Sequence, residues 1–321
     1  MAVSAGQDGS SSRSCRHVLV VITGPTASGK TALAIEVAGR LGCDILSADS
    51  RQLFRDLPIG TAAPTEEERA AVPHHFIATL GLADYYSAAR YEEDALGLLD
   101  ELWSRPGAGP FEVVCGGSMM YLDALVRGID DMPTITDATR SYVRSLHEQH
   151  GMEGLLAQLE LLDPQYAGEV DRANTRRVMH ALEICLQSGR PYSEFRTGGR
   201  KDRPFTVLKF ALELPREELF ARIGARVRAM VEAGLVEEAR RAFGIAGEDA
   251  NSLNTVGYRE LHDYFSGEKS LEEVVEKIAR NTRVYAKKQL TWLRRDPSVV
   301  WLEREGAADA IVEMALRAAH E

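Results

Sequence analysis

Short apolar runs alternate with amphipathic stretches along the first part of the chain. Val18–Thr23 ("VLVVIT") is an unbroken, β-branched run ending in a Gly-rich turn, the pattern of a buried strand. From Lys30 to Leu41 the apolar positions Leu33, Ala34, Val37, Ala38 and Leu41 share one helical face. Short strands are expected at 44–47 and 74–77, with a Pro- and Gly-containing loop over most of 55–73 between them. An amphipathic helix follows at 87–103. A third clear apolar run at 111–115 is stopped by Gly116-Gly117 and leads into a helix at 118–126. Strands alternating with helices at this spacing predict βαβ units around a parallel sheet.

Near residue 134 the pattern changes. Up to Gly189 there is no convincing strand, only helical segments ("TDATRSYVRSLHEQHG", "MEGLLAQLELLDP", "NTRRVMHALEICLQSG"), the last stopped by Gly189 and Pro191. Residues 134–202 therefore read as an all-helical insertion. "FTVLKFALEL", residues 205–214, returns the chain to the sheet. Helices at 216–232, 235–243, 255–265 and 270–294, a short strand at Val299–Leu302 and a last helix at Ala307–His320 complete the pattern. The expected organisation is a leader (1–16), an α/β core (17–133 with 203–321) and the helical insertion (134–202).

Composition narrows the class. The chain has 321 residues, 45% hydrophobic and 27% charged, an ordinary globular balance. Its longest apolar run is far too short for a membrane span, so no membrane partner is expected. Residues 1–16 are polar and Ser/Gly-rich and lack the apolar core of a signal peptide; they read as a disordered leader. The four cysteines form no CxxC pair, which argues against a zinc site or disulfide framework and for a reducing, cytoplasmic setting. A net charge of −10 speaks against nucleic acid only on average, and clustered basic residues decide that question.

The candidate chemistry begins with Gly24, Pro25, Thr26, Ala27, Ser28, Gly29, Lys30 and Thr31. They fit G-x-x-x-x-G-K-[ST] between a strand and a helix, the context a phosphate-binding loop requires. Its backbone N–H groups and helix N-terminus favour phosphate oxygens, Lys30 adds a full charge, and the Thr31 hydroxyl can ligate Mg²⁺. The fold class is therefore a P-loop NTPase-like parallel sheet flanked by helices. The usual ligand of such a loop is ATP or GTP. A nucleotide-hydrolysing protein, however, closes a second apolar strand with an Mg²⁺-holding Asp. Here "FEVVCGGS" ends in Cys115-Gly116-Gly117. The carboxylate is Asp49, nineteen residues after Lys30 at the end of the second strand, on the rim of the sheet that carries the loop. By position alone Asp49 is equally a reacting carboxylate or a helix-capping turn residue.

The ordered motifs "GPTASGKT", "SADSRQLF", "IGTAAPT", "PHHFI", "YSAARYEEDA", "GGSMMYLDAL", "ARIGARVRAMVEAGL", "NTVGYRE" and "NTRVYAKKQLTWLRR" closely resemble those of the bacterial tRNA dimethylallyltransferase family, from about Val18 to Trp301. The resemblance implies that the loop holds the diphosphate of dimethylallyl diphosphate. It implies alkylation of the exocyclic amine of the adenosine just 3′ of the anticodon, with pyrophosphate, held with Mg²⁺, as the leaving group. Asp49 would be the general base. Ser50, Arg51 and Gln52 would line the base pocket, with Gln52 suited to a bidentate contact with an adenine edge. Thr26 would lie near the amine or the diphosphate. Arg222 and Arg226, four apart on one helix face, are the candidates for the family's diphosphate-binding arginine, with Arg222 slightly preferred. A solvated face pairing with Glu217 and Glu218 is the plainer reading of both.

The same resemblance assigns tRNA contacts to Ser118, Arg140, Arg176, Arg177, Val178, Met179, His180, Asn254, Thr255, Val256, Gly257 and Tyr258. Independently, no acidic residue lies between Lys277 and Arg295, and Arg280, Arg283, Lys287 and Arg294 recur near helical spacing, a face suited to an RNA backbone. Tyr285 and Trp292, interleaved with them, are expected in the core, with stacking on RNA bases as the alternative. His74 and His75 are expected to be structural. The partners implied are the anticodon stem-loop of tRNA and dimethylallyl diphosphate, acting on a monomer. Departures from the family pattern are Ser118-Met119-Met120 for Thr-Gly-Leu, expected to reshape the adenosine channel, His180 for an arginine, and Leu293 for an aromatic. Two other readings are an adenylate isopentenyltransferase, which needs neither the insertion nor the basic helix, and a small-molecule P-loop kinase, which needs the missing Asp. A non-catalytic RNA-binding module would not need Lys30, Thr31 and Asp49 together.

Overall fold

The computed structural model describes residues 16–247 and 250–321, so the expected leader, apart from Arg16, lies outside the described residues, as does Cys15. The chain divides into two compact units, Arg127–Asp202 and the remainder.

The larger unit is built on a six-stranded sheet of order β3-β2-β4-β1-β5-β6. Its strands are β1 (Val18–Thr23), β2 (Ile45–Ser47), β3 (His74–His75), β4 (Phe111–Gly116), β5 (Thr206–Leu212) and β6 (Val299–Leu302), and every pairing is parallel. β1 lies at the centre and is buried on both faces, which is why it is apolar without alternation. Val18, Val20 and Ile22 pack against helices α1 (Lys30–Leu41) and α13 (Ala307–His320). Leu19 and Val21 face the other way, onto α3 (Ala88–Trp103) and α4 (Met119–Arg127). β2, β4 and β1 are consecutive neighbours, so the chain segments leaving them emerge together on one rim of the sheet.

Beyond the sheet, a further core joins α9 (Arg216–Glu232), α10 (Leu235–Ala246), α11 (Tyr258–Phe265) and α12 (Leu271–Leu293) to the segment after β2. The 55–73 segment is not all loop. Glu66–Ala71 forms a helix, α2, closed by a capping box in which Thr65 accepts from Glu68 N–H and Glu68 from Thr65 N–H. The bounding prolines hide it in the sequence, and it buries no residue that would give it an apolar stripe. His74 and His75 form the edge strand, where the His75 ring meets the Asp44 carboxylate at 2.9 Å.

The smaller unit is helical: α5 (Asp137–Leu162), α6 (Pro164–Glu169), α7 (Thr175–Ser188) and α8 (Tyr192–Phe195). α5 is broken at Gly151, whose φ of 61° and ψ of −158° no helix adopts. Its core gathers Val143, Leu155 and Leu159 of α5 with Val178, Ala181 and Leu182 of α7.

In the larger unit, Arg203 marks the return of the chain. It is almost fully buried, pairs with Glu92 at 2.7 Å, and donates to the carbonyls of Ala124 and Leu125. Among the described residues, no helix is long and apolar enough to cross a membrane.

Candidate active site

The rim where β1, β2 and β4 end opens into a cavity of about 350 Å³ within the larger unit. After β1 the chain turns sharply through Gly24 (φ 146°), Ala27 (φ 65°) and Gly29 (φ 91°) before α1 begins at Lys30. Positive φ at these positions turns successive N–H groups toward one point, the arrangement a phosphate group fits. Ala27 is not a glycine, so its left-handed backbone carries strain that the surrounding structure must hold. Thr26, Lys30 and Thr31 line the cavity. Ser28 is buried, and its hydroxyl has no protein partner.

Two cations converge here. Lys30 donates to the Pro25 carbonyl at 3.4 Å. Burial lowers its pKa, Cys115 and Asp49 act to raise it, and Arg226 lowers it further. Arg226, on α9, lines the same cavity, and burial depresses its pKa too, opposed by Asp49. Both cations are thus held in an environment that disfavours charge, with the Asp49 carboxylate in their field. Such a place stabilises an anion more than water does.

Asp49 follows β2. One of its oxygens accepts from Arg51 N–H at 2.9 Å, a local turn that fixes the carboxylate on the cavity wall. Ser50 N–H donates to Ser118 Oγ at 2.8 Å, and Ser118 donates on to Ser50 Oγ, so the segments leaving β2 and β4 are joined by hydroxyls. The Arg51 guanidinium donates to the Asn251 carbonyl at 2.9 Å. Cys115, at the end of β4, is a buried thiol whose pKa burial pushes up to about 11, so it is no nucleophile at neutral pH.

The remaining wall is helical. α9 contributes Ile223, Val227 and Met230, and α12 contributes Ile278, Thr282, Tyr285 and Gln289 at i, i+4, i+7 and i+11. Gly60 and Thr61 close one side. There, buried Glu238 accepts from Ile59 N–H and Gly60 N–H, each at 2.8 Å, and from the Tyr258 hydroxyl. Asn254, Thr255, Val256 and Gly257 complete the lining. Their loop is pinned by buried Glu260, which accepts from Gly257 N–H and from Asn281.

The sequence model for IPP transferases matches residues 52–296. The chain is 53% identical over 283 residues to tRNA dimethylallyltransferase 2 of Parabacteroides distasonis, covering 88% of this chain and 93% of that one. It belongs to the IPP transferase family. Another relative, tRNA dimethylallyltransferase 1 of Bacteroides thetaiotaomicron, is 46% identical over 299 residues, with 93% and 96% of the two chains covered. The solved full-length tRNA isopentenylpyrophosphate transferase of Bacillus halodurans has a TM-score of 0.67 at 32% identity, covering 94% of this chain and 95% of that one. A eukaryotic dimethylallyltransferase solved acting on tRNA has a TM-score of 0.75 over 93% of this chain and 77% of its own; at 23% identity it speaks for the fold.

In this IPP transferase the cavity gathers Thr26, Lys30, Thr31, Asp49, Ser50, Arg51, Gln52, Ser118, Arg226 and residues 254–257. Arg222 is not part of its lining. It is exposed, pairs with Glu218 at 2.6 Å, and stands beside Gly29, so the slight preference for Arg222 over Arg226 is not what the cavity favours. Gln52 lines the wall with its amide held at both ends, accepting from Ser47 and donating to the Ala62 carbonyl, which fixes its orientation and leaves a second lone pair and a second N–H for an adenine edge.

Tyr258 is fully buried on Glu238 and cannot present its side chain to an RNA. Val178 is likewise fully buried, in the helical unit's own core. Its neighbours on α7 differ: Arg176, Arg177 and His180 are exposed and Met179 is half-buried. Arg140 lies on α5 of the same unit.

On α12, Lys287 is exposed and the half-buried Arg283 lies near it, their cationic ends 5.6 and 5.9 Å from the Phe220 ring. Trp292 is in the core as expected, donating to Asp123, but Tyr285 is exposed and lines the cavity. Met119 and Met120 do not line it; Met120 points to solvent. Sequence reasoning passed over Gln289, Arg259 and the apolar residues of α9. Only the helical period of α12, once anchored on Ile278, could have found Gln289.

Proposed function

We propose that this protein transfers the dimethylallyl group from dimethylallyl diphosphate to the N6 amine of the adenosine 3′-adjacent to the anticodon of a tRNA. The observation that carries this reading is that Asp49 shares one cavity with the phosphate loop, Lys30 and Arg226. In the reaction the allylic C–O bond breaks and its electron pair leaves with the bridging oxygen of pyrophosphate. The N6–C bond forms, and the N6 proton passes to Asp49. The amine is a weak nucleophile because its lone pair is delocalised into the ring, so a carboxylate in reach of its proton lowers the barrier. The loop N–H groups, Lys30 and Arg226 meet the charge that grows on the diphosphate in the transition state.

The donor set also suits Mg²⁺. Thr31 offers a hydroxyl on the cavity wall beside the phosphate loop, while the described residues hold no cluster of three or more His, Cys, Asp or Glu that would cage a metal alone. Mg²⁺ is commonly held by one or two protein oxygens together with phosphates. When bound, it neutralises charge on the diphosphate.

A polynucleotide substrate is supported by the exposed basic residues of α12 (Arg280, Lys287, Lys288, Arg294) and of α7 (Arg176, Arg177). A target base in an anticodon loop leaves its stack to enter a cavity of this size. The test offers labelled dimethylallyl diphosphate and Mg²⁺ to the protein with an anticodon stem-loop RNA or with AMP. Label in the RNA and not in AMP is expected. Label in AMP alone would move the activity to free nucleotides, and ATP consumption without prenyl transfer would return the loop to a kinase.

A further inference from the structure

Gln289 lies on α12 with 3% of its surface exposed, yet it is polar and faces the cavity. Its Oε1 accepts from Thr26 N–H of the phosphate loop at 3.0 Å, and its Nε2 donates to the Gly117 carbonyl after β4 at 2.8 Å. A backbone N–H can only donate and a carbonyl only accept, so these partners fix the orientation of the amide. Gly117 has no room for a side chain, because a Cβ there would run into this amide. The residue after Thr26 is Ala27, in the left-handed conformation that L-residues disfavour. Gln289 therefore holds the loop at the edge of its strained turn.

α12 has a second face. A helix turns about 100° per residue, so Lys287, two positions before Gln289, points roughly to the opposite side. Lys287 and Arg280 are exposed there, among the basic residues that suit an RNA backbone. One rigid helix thus carries a basic outer face and, on its inner face, a side chain that grips the phosphate loop.

We propose that Gln289 is a positioning residue that couples RNA engagement on α12 to the geometry of the diphosphate-binding loop. The coupling rests on the tRNA reading above; the hold on the loop does not. An RNA on the outer face biases the placement of α12, and Gln289 passes that placement to Thr26 and Ala27. RNA then tightens diphosphate binding and, by linkage, diphosphate tightens RNA binding by the same factor.

The test compares the wild type with Gln289→Leu, which keeps the size and loses both hydrogen bonds, and Gln289→Glu. Pyrophosphate affinity is measured by calorimetry with and without anticodon stem-loop RNA, and kcat and KM for dimethylallyl diphosphate at RNA saturation. For Gln289→Leu we expect kcat/KM to fall about tenfold or more, because small displacements at a reacting centre are amplified. Its pyrophosphate affinity should weaken and no longer respond to RNA, while RNA binding alone stays within about twofold, far below the tenfold that 1.4 kcal/mol represents.

Gln289→Glu separates positioning from bulk structure. Protonated, its carboxyl can accept from Thr26 and donate to Gly117; ionised, it repels the Gly117 carbonyl. Its activity relative to wild type should rise as pH falls, whereas the relative activity of Gln289→Leu stays flat. Lys30, Asp49, Arg51, Cys115, Arg226, Arg259 and Tyr285 line the same cavity in all three proteins, and Gln289→Leu, which adds no ionisable group, is the control for them. Wild-type kinetics and intact coupling in Gln289→Leu, or a pH-independent ratio in Gln289→Glu, would overturn the proposal. If the leucine variant does not fold, the glutamate ratio alone decides. If the wild type transfers nothing to RNA, the functional reading fails, and pyrophosphate affinity still tests the hold on the loop.

Discussion

Lys30 and Arg226 face one cavity from the two separate segments of the larger unit, and Arg226 is among the groups that weaken the hold of Lys30 on its proton. An anion between them relieves both. Arg226→Gln should therefore lower kcat/KM for dimethylallyl diphosphate about 10²- to 10³-fold, the loss seen when one transition-state donor is removed. Arg222→Gln, which changes a side chain beside Gly29 but outside the cavity lining, should lower it by a smaller factor than Arg226→Gln.

The depressed pKa of Lys30 gives a pH dependence of known sign. Only the protonated amine attracts the diphosphate. Pyrophosphate affinity should fall as pH rises through the lowered pKa, at a pH below the usual 10.5 of a lysine. Calorimetry in buffers of different ionisation enthalpy should show proton uptake on binding in that range. A pH-independent affinity up to 10.5 would contradict the electrostatic account.

Asp49→Asn retains a side-chain oxygen that can accept from Arg51 N–H, so the turn after β2 persists. What it loses is the proton acceptor. Single-turnover transfer to RNA should slow about 10²- to 10⁴-fold, the usual contribution of a general base, with dimethylallyl diphosphate affinity little changed. Full activity in this variant would remove the base role.

Tyr258 is a structural residue by its position. Tyr258→Phe withdraws one of three donors from buried Glu238 and should destabilise the protein by about 1–3 kcal/mol in urea unfolding. The wall at Gly60 should loosen with it. RNA affinity should not change, since the side chain never reaches the surface.

Glu112, buried at the start of β4, has its pKa pushed up to about 7 by burial, against the opposing hydrogen bond from Asp44 N–H. A carboxyl with a raised native pKa binds protons more tightly folded than unfolded. Its contribution is most favourable below the unfolded value and is lost as pH rises through about 7. Glu112→Gln should gain stability over the wild type between pH 5 and 8, by about 1–3 kcal/mol at the upper end. Urea unfolding at the two pH values reads the difference directly.

Much of this was legible in the chain. Val18–Thr23 reads as a central strand because apolar side chains on both faces leave no alternation, and the loop after it has fixed spacing. α2 was hidden because its bounding prolines outweighed a capping box. Tyr258 and Val178 have buried side chains for a geometric reason. Motif resemblance delivers contiguous stretches, but a helix turns so that Val178 points inward beside outward-facing Arg177. Gln289 meets Thr26 across 263 positions and Gly117 across 172, and nothing local signals either contact. Arg222 and Arg226 share one pattern, and only the packing of α9 separates them.

Arg203 ties the chain's return to its departure. On the core side its guanidinium holds the carbonyls of Ala124 and Leu125, and on the helical side Lys201 N–H donates to the Arg127 carbonyl. Within each unit, the outgoing and returning chain are therefore joined by hydrogen bonds. An insertion whose two ends are tied in this way can change in length without displacing the strands that precede and follow it.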